Sequence, residues 1–396
     1  MSKEMKLIPE LRFPQFENEE EWEQKTISSI SNSESSSLAL NKLKLKQTGY
    51  SVYGADSIVG YIDEYQQKEK YISIVKDGSG VGRLNLCESH SSILGTLACL
   101  KSKNEKQYNL IWFYYLLNTI DFSVYIKGSG IPHIYYSDFK SEGIAIPKHP
   151  EQQKIASCLS CLDELIIANS DKLEALKYHK KGLMQNLFPQ EGEAVPKYRF
   201  PEFAKDGDWV ENKLGEIGNP LMCKRIFKNQ TTSNPENGIP FYKIGTFGKD
   251  ADSYISVNLY NEFRSRYNFP NQGDILISAS GTIGRLVVYD GVPAYFQDSN
   301  IVWLGHDEKQ IKNEFLFYCY SIVNWQTSDG GVIRRLYNSD LRSISIIYPE
   351  NELEQQKITS SLSAVDGLIN AQSEKIEQLQ LHKKGLMQGL FLKINN

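Results

Sequence analysis

Two blocks of this 396-residue chain are written twice. Glu151-Gln152-Gln153-Lys154-Ile155 returns as Glu354-Gln355-Gln356-Lys357-Ile358, at an offset of 203. His179-Lys180-Lys181-Gly182-Leu183-Met184-Gln185 returns at the same offset as His382-Lys383-Lys384-Gly385-Leu386-Met387-Gln388. Upstream, Arg12-Phe13-Pro14 with Phe16 and Trp22 matches Arg199-Phe200-Pro201 with Phe203 and Trp209. Repeats of this length in one order make the chain a single unit used twice, which constrains the fold before any motif does. Between the matched blocks, residues 31–130 and 218–331 share only scattered features, such as Gly82-Arg83-Leu84 beside Gly284-Arg285-Leu286. A duplicated frame with unlike inserts implies two related modules doing different versions of one job. The second copy would lead back into the block that opens the first, so an approximate internal two-fold axis with neighbouring termini is expected.

The repeated segments read as long helices. Ile155, Leu162, Leu176 and Leu183 fall on one seven-residue series, interrupted by Asn169; Leu159, Ile166, Leu173 and Leu187 form the other, interrupted by Lys180. The second copy keeps the register through Ile358, Val365, Leu379 and Leu386 with Gln372, and through Leu362, Ile369, Ile376 and Leu390 with Lys383. Alternating steps of three and four give the narrow apolar seam of a coiled coil. Pro150 and Pro349 precede the helices, Glu151 and Glu354 suit a first turn, and Pro189 ends the first helix. Roughly 37 residues at about 1.5 Å each span about 55 Å. Each seam needs a partner, and under a two-fold axis the other copy supplies it antiparallel. Asn169 and Gln372, near the ladder midpoints, either meet and fix register or are tolerated at a solvated edge. The expected fold is α+β. Two mixed α/β modules, over 1–150 and 189–353, are separated by spacer helices over 151–188 and 354–391.

The inserts support that class. Val52-Tyr53-Gly54, Gly60-Tyr61-Ile62, Tyr71–Val75, Asp274–Ser278 and Leu286–Tyr289 read as short strands punctuated by Gly turns. Leu110–Leu117 and Phe315–Tyr320 read as buried helices at equivalent places, with their aromatics in a core. Composition is that of a globular protein, 40% hydrophobic and 11% aromatic, and the length exceeds what one core usually supports. Lys plus Arg total 44 against 48 Asp plus Glu, a net charge of −4, so the whole chain carries no bias toward a polyanion. No apolar run approaches the roughly 20 residues that span a bilayer, which argues against a membrane partner. The Met1–Lys6 start lacks the apolar stretch of a secretory signal, and six scattered cysteines suit reduced thiols in a cytoplasmic protein.

No catalytic constellation emerges. Gly78-Ser79-Gly80-Val81-Gly82 suits a tight turn better than a cofactor loop. Cys158 and Cys161 form a lone pair replaced by Ser361 and Ala364 in the second copy, short of the four ligands zinc takes, so no metal or cofactor is expected in this chain. His179 and His382 stand with Lys pairs near helix C-termini, where cations are favoured. Asn234-Pro235-Glu236-Asn237 does not supply the Asn-Pro-Pro-Tyr pattern of an adenine methyltransferase. Basic residues do cluster locally, and such runs are either solvated surface or candidate contacts to phosphates and base edges. In the first insert these are Lys42, Lys44, Lys46, Lys76 and Arg83; in the second, Lys224, Arg225, Lys243, Arg285, Arg334 and Arg335. Arg334 and Arg335 follow Gly330-Gly331, and a hinged pair of guanidiniums suits phosphates or the guanine edge.

The duplicated Arg-Phe-Pro-x-Phe block, the Glu-Gln-Gln-Lys-Ile helix start and the His-Lys-Lys-Gly-Leu-Met-Gln end resemble type I restriction–modification specificity subunits over nearly the whole chain. Val52–Tyr61 is similar to one insert type of that family, and Gly273–Ile277 with Gly281-Thr282-Ile283-Gly284 to another. The resemblance implies a non-catalytic subunit with two target recognition domains, each reading half of a split duplex DNA sequence. The helices would set the gap and dock two methyltransferase subunits, which restriction subunits join. S-adenosylmethionine, ATP and Mg2+ would belong to those partners. Family motifs mark no base-contacting residue. The rival readings are a stand-alone DNA-modifying enzyme and a coiled-coil adaptor that binds only proteins.

Overall fold

The computed structural model describes residues 6–236, 238–325, 335–392 and 394. Two helices of 39 residues each, His149–Leu187 and Glu352–Leu390, form the repeated frame. Pro150 falls inside the first turn rather than before it, where its missing N–H is no loss. Every position of both ladders is buried or half-buried, as a narrow seam requires. By contact the chain divides into two units, Met1–Leu173 with Gln372–Asn396, and Glu174–Ala371. Each unit therefore contains one insert, the start of one long helix and the end of the other.

The described residues of unit one form nine strands: β1 Glu23–Thr26, β2 Ser31–Ser35, β3 Tyr50–Tyr53, β4 Ile58–Ile62, β5 Tyr71–Val75, β6 Leu84–Cys87, β7 Ser92–Ile93, β8 Leu97–Ser102 and β9 Gly143–Ile146. They form sheets in the orders β2-β8-β5-β6, β4-β3-β7 and β1-β9. The helix Leu110–Leu117 starts where the Asn109 side chain accepts from Trp112 N at 2.9 Å, a capping bond. Its Trp112, Phe113 and Tyr115 are buried in a core that also takes in Ile155 and Leu159 from the first long helix and Leu390 from the second. The aromatics are thus core. In the helix pair, Gln372 Nε2 donates to Asn169 O at 3.0 Å and to Asn169 Oδ1 at 2.8 Å, with both residues buried. The two polar ladder residues meet, and the pairing is antiparallel.

Unit two repeats the plan with a divergent sequence. Its strands are β10 Val210–Lys213, β11 Asn219–Leu221, β12 Gly238–Tyr242, β13 Tyr254–Ser256, β14 Ile275–Ser278, β15 Leu286–Val288, β16 Tyr295–Phe296, β17 Ile301–Gly305 and β18 Ser345–Tyr348. The sheets run β11-β17-β14-β15, β13-β12-β16 and β10-β18, the same connectivity strand for strand. Even the parallel pair recurs, β3 with β7 in unit one and β12 with β16 in unit two. The addition is a helix, Val257–Arg266, capped by Ser256 Oγ, which accepts from Leu259 N. The helix Asn313–Ile322 takes the place of Leu110–Leu117 and buries Phe315 and Leu316 against Leu187, Ile358 and Leu362. Among the described residues no helix is long and apolar enough to cross a membrane. All six cysteines are free thiols.

Candidate nucleic-acid interface

The repeated motifs explain how each insert is fastened to the helices. Arg12 Nε and Nη2 donate to Glu151 Oε1 and Oε2 at 2.9 and 2.8 Å. In unit two, Arg199 does the same to Glu354 at 2.8 and 2.7 Å. The carboxylates are almost fully buried, and the arginines also donate to backbone carbonyls of Glu19 and Glu20, or of Asp206 and Gly207. Such bidentate, charge-assisted pairs hold direction as well as distance. Glu151 and Glu354 thus act as buried ion-pair partners, beyond the helix-dipole role expected of them. Gln152 and Gln355 follow suit: each accepts from the backbone ahead of the aromatic helix (Asn109 N at 2.8 Å, Lys312 N at 2.9 Å) and donates to Pro147 O or Pro349 O. Lys154 and Lys357 complete the motif above the Phe13 and Phe200 rings, 5.6 Å from each centroid.

The Lys residues of the second motif have a different role from the one expected. Lys383 Nζ donates to Asp163 Oδ1 at 2.5 Å, and Tyr115 donates its hydroxyl proton to Asp163 Oδ2 at 2.7 Å. Lys180, Asp366 and Tyr318 form the same triad in unit two, at 2.5 and 2.9 Å. These lysines lie a turn or more before the helix ends, so cross-helix pairing and not the helix dipole holds them. Each triad ties the insert's aromatic helix to both long helices. Burial and the neighbouring carboxylate raise the hydroxyl pKa of Tyr115 and Tyr318 above that of a free tyrosine. Asp163 and Asp366 escaped the sequence reading; the 203 offset that joins them, and Tyr115 to Tyr318, was the available signal.

Away from the helices each module presents a hairpin tip with a second loop beside it. In unit one, residues 76–83 join β5 to β6, and the 127–135 segment runs alongside: Gly78 N donates to Pro132 O at 2.9 Å and Ile134 N to Lys76 O at 2.8 Å. In unit two, residues 279–285 join β14 to β15, Leu336 N donates to Ala279 O at 2.8 Å, and Ser280 bridges to Arg335. Gly82 and Gly284 turn these tips at φ of 87° and 82°, a region that favours glycine. Exposed Ile131, Tyr135 and Tyr337 flank the paired loops.

The candidate contacts do not gather in one patch. Lys76 and Arg83 lie on the unit-one tip, Arg285 and Arg335 on the unit-two tip. Arg83 pairs with Asp56, Arg285 Nη1 donates to Phe247 O at 2.8 Å, and Arg335 Nη2 donates to Ser299 O at 2.8 Å. Lys42 and Lys44 are exposed on and after a short helical turn, with no ion pair among the described residues, while Lys46 pairs with Asp63 at 2.7 Å. Lys224 stands 5.0 Å over the Tyr267 ring, Arg225 is 3.5 Å from Asp298, and Lys243 is 2.8 Å from Asp252. Arg334 lies outside the described residues.

Comparison with known proteins agrees with this construction. A family profile described as type I restriction modification DNA specificity domain matches residues 19–178 and again 206–381. A Haemophilus influenzae protein named as a type I restriction enzyme specificity subunit is 35% identical over 342 residues, covering 83% of this chain and 84% of that protein. The MjaVIII specificity subunit of Methanocaldococcus jannaschii is 27% identical over 337 residues, covering 81% and 77%. Among solved structures, the S subunit of a type I restriction–modification system from M. genitalium superposes with a TM-score of 0.69 at 19% identity, covering 98% of this chain and all of that one. The shared fold, the doubled domain match and the relatives agree that the chain belongs to the type I restriction–modification specificity subunits.

Proposed function

We propose that this chain reads an asymmetric, bipartite duplex DNA target, one half-site per unit, with the helix pair as the spacer between readers. The observation that carries this is the pairing of one topology with two unlike surfaces. Both units repeat the same sheets and the same fastening to the helices, yet their inserts share only scattered residues, such as the Gly-Arg-Leu that closes each hairpin tip. Two copies of one reader would need no such divergence. The protein acts as a non-catalytic subunit in the cytoplasm, with chemistry supplied by partners that bind S-adenosylmethionine, ATP and Mg2+.

Two methyltransferase subunits dock on the repeated helix ends, and restriction subunits join that complex. His179, Lys181 and Gln185, like His382, Lys384 and Gln388, are exposed and identical in both copies, although no packing demands it. Beside them lie matched grooves, of about 540 Å³ around Met184 and Phe188 and about 320 Å³ around Met387 and Phe391. A surface kept the same twice on otherwise divergent units suits one partner bound twice. Footprinting of the chain reconstituted with its methyltransferase subunits tests the reading. Two protected segments separated by an unprotected gap are expected; one continuous protected site refutes it.

A further inference from the structure

We infer that Arg83 and Arg285 are matched phosphate-gripping residues, the sequence-neutral component of recognition in each unit; this rests on the DNA-reading function proposed above. What two unlike readers share should serve what their targets share. All duplexes share the phosphate backbone, whereas the bases differ between half-sites. Gly-Arg-Leu is one of the few residue patterns the two inserts have in common, and the fold sets it at one place: the return from the hairpin tip into β6 or β15.

The backbone around it is the same twice. Gly82 N donates to Val75 O at 2.8 Å and Val75 N to Arg83 O at 2.9 Å; Gly284 N donates to Ser278 O at 3.0 Å and Ser278 N to Arg285 O at 2.9 Å. Both side chains then reach the loop that follows the matched strand, β3 or β12, where Arg83 meets Asp56 and Arg285 meets the Phe247 carbonyl. A guanidinium has five N–H donors, and these contacts leave several for an anion. The Arg83 side chain is 50% exposed and its Asp56 partner 77% exposed, so the pair lies in water, where a phosphate can displace the carboxylate. A guanine-reading role would instead require both half-sites to carry guanine at corresponding positions.

The test uses the full chain in complex with its methyltransferase subunits. Affinity is measured against salt for a duplex carrying the methylated target and for an unrelated duplex of equal length, with Arg83→Ala, Arg285→Ala and the corresponding lysine variants. Each alanine should lower the slope of log affinity against log salt by about one. It should weaken both duplexes by the same factor, and lysine should restore both properties, since a phosphate accepts a point charge. An unchanged slope overturns the inference. So does a loss confined to one base pair of the target that lysine fails to restore, which marks a base reader. A wild-type complex that prefers no duplex overturns the parent reading and this one with it.

Discussion

Replacing Asp163 with alanine removes the centre of the unit-one triad, and its cost can be built from the contacts. The carboxylate holds the Lys383 ammonium at 2.5 Å, with side chains 22% and 33% exposed, so the ion pair is discounted for solvent to about 0.5–1 kcal/mol. The Tyr115 hydroxyl bonded to an ionised oxygen at 2.7 Å contributes about 1.5–2 kcal/mol, reduced by the nearby Ser160 hydroxyl, 3.3 Å away, as a replacement acceptor. The sum is about 2 kcal/mol. With a urea slope of about 2 kcal/mol/M, that lowers the unfolding midpoint of unit one by about 1 M. Asp366→Ala should cost about the same in unit two, because the triad there has matching distances and exposure. A double-mutant cycle of Asp163→Ala with Lys383→Ala isolates the pair and should return a coupling of about 0.5–1 kcal/mol. Urea unfolding followed by circular dichroism reads all of these. A midpoint that does not move, or a coupling indistinguishable from zero, refutes the triad as a strut.

Three further outcomes follow from the same contacts. Arg12→Ala leaves Glu151 buried without its partner and should cost about 3–5 kcal/mol, with Arg12→Lys recovering only part because it lacks the fork; thermal unfolding checks both. Gln372→Leu strands the Asn169 side-chain oxygen and should cost about 1–3 kcal/mol, whereas leucine at both positions should restore stability, as chemical denaturation would show. Burial pushes the Cys99 and Cys223 thiols up to about 12 from a free value of 9.0, so the folded pKa lies above the unfolded one. Their contribution to stability is complete below about pH 9 and is lost as pH rises from there toward 12, and Cys99→Ser should flatten that loss in a pH series of melts.

Much of the frame was legible because it is periodic or repeated. The ladders from Ile155 to Leu187 and from Ile358 to Leu390 announce narrow seams, and the helix Leu110–Leu117 lies where its apolar run stands. The fastenings were not legible, since Arg12 and Glu151 are 139 residues apart and nothing local in either predicts the other. Only the recurrence of both residues in the second copy hinted at a functional pair. The shared sheet topology of the inserts was hidden for another reason. A strand needs only an alternating or apolar run of a few residues, so β3 and β12 can be equivalent while Tyr50–Tyr53 and Gly238–Tyr242 look unrelated. Among the basic residues, Arg83, Arg225 and Lys243 looked like free charge in the sequence. Asp56, Asp298 and Asp252, each far along the chain or across a turn, hold them in the fold.

Methylome sequencing of a host that carries this chain with its methyltransferase subunits tests the central claim most directly. The account predicts modified bases in two short, unlike motifs at one fixed separation. Modification of a single continuous motif, or of two identical half-sites, would contradict it.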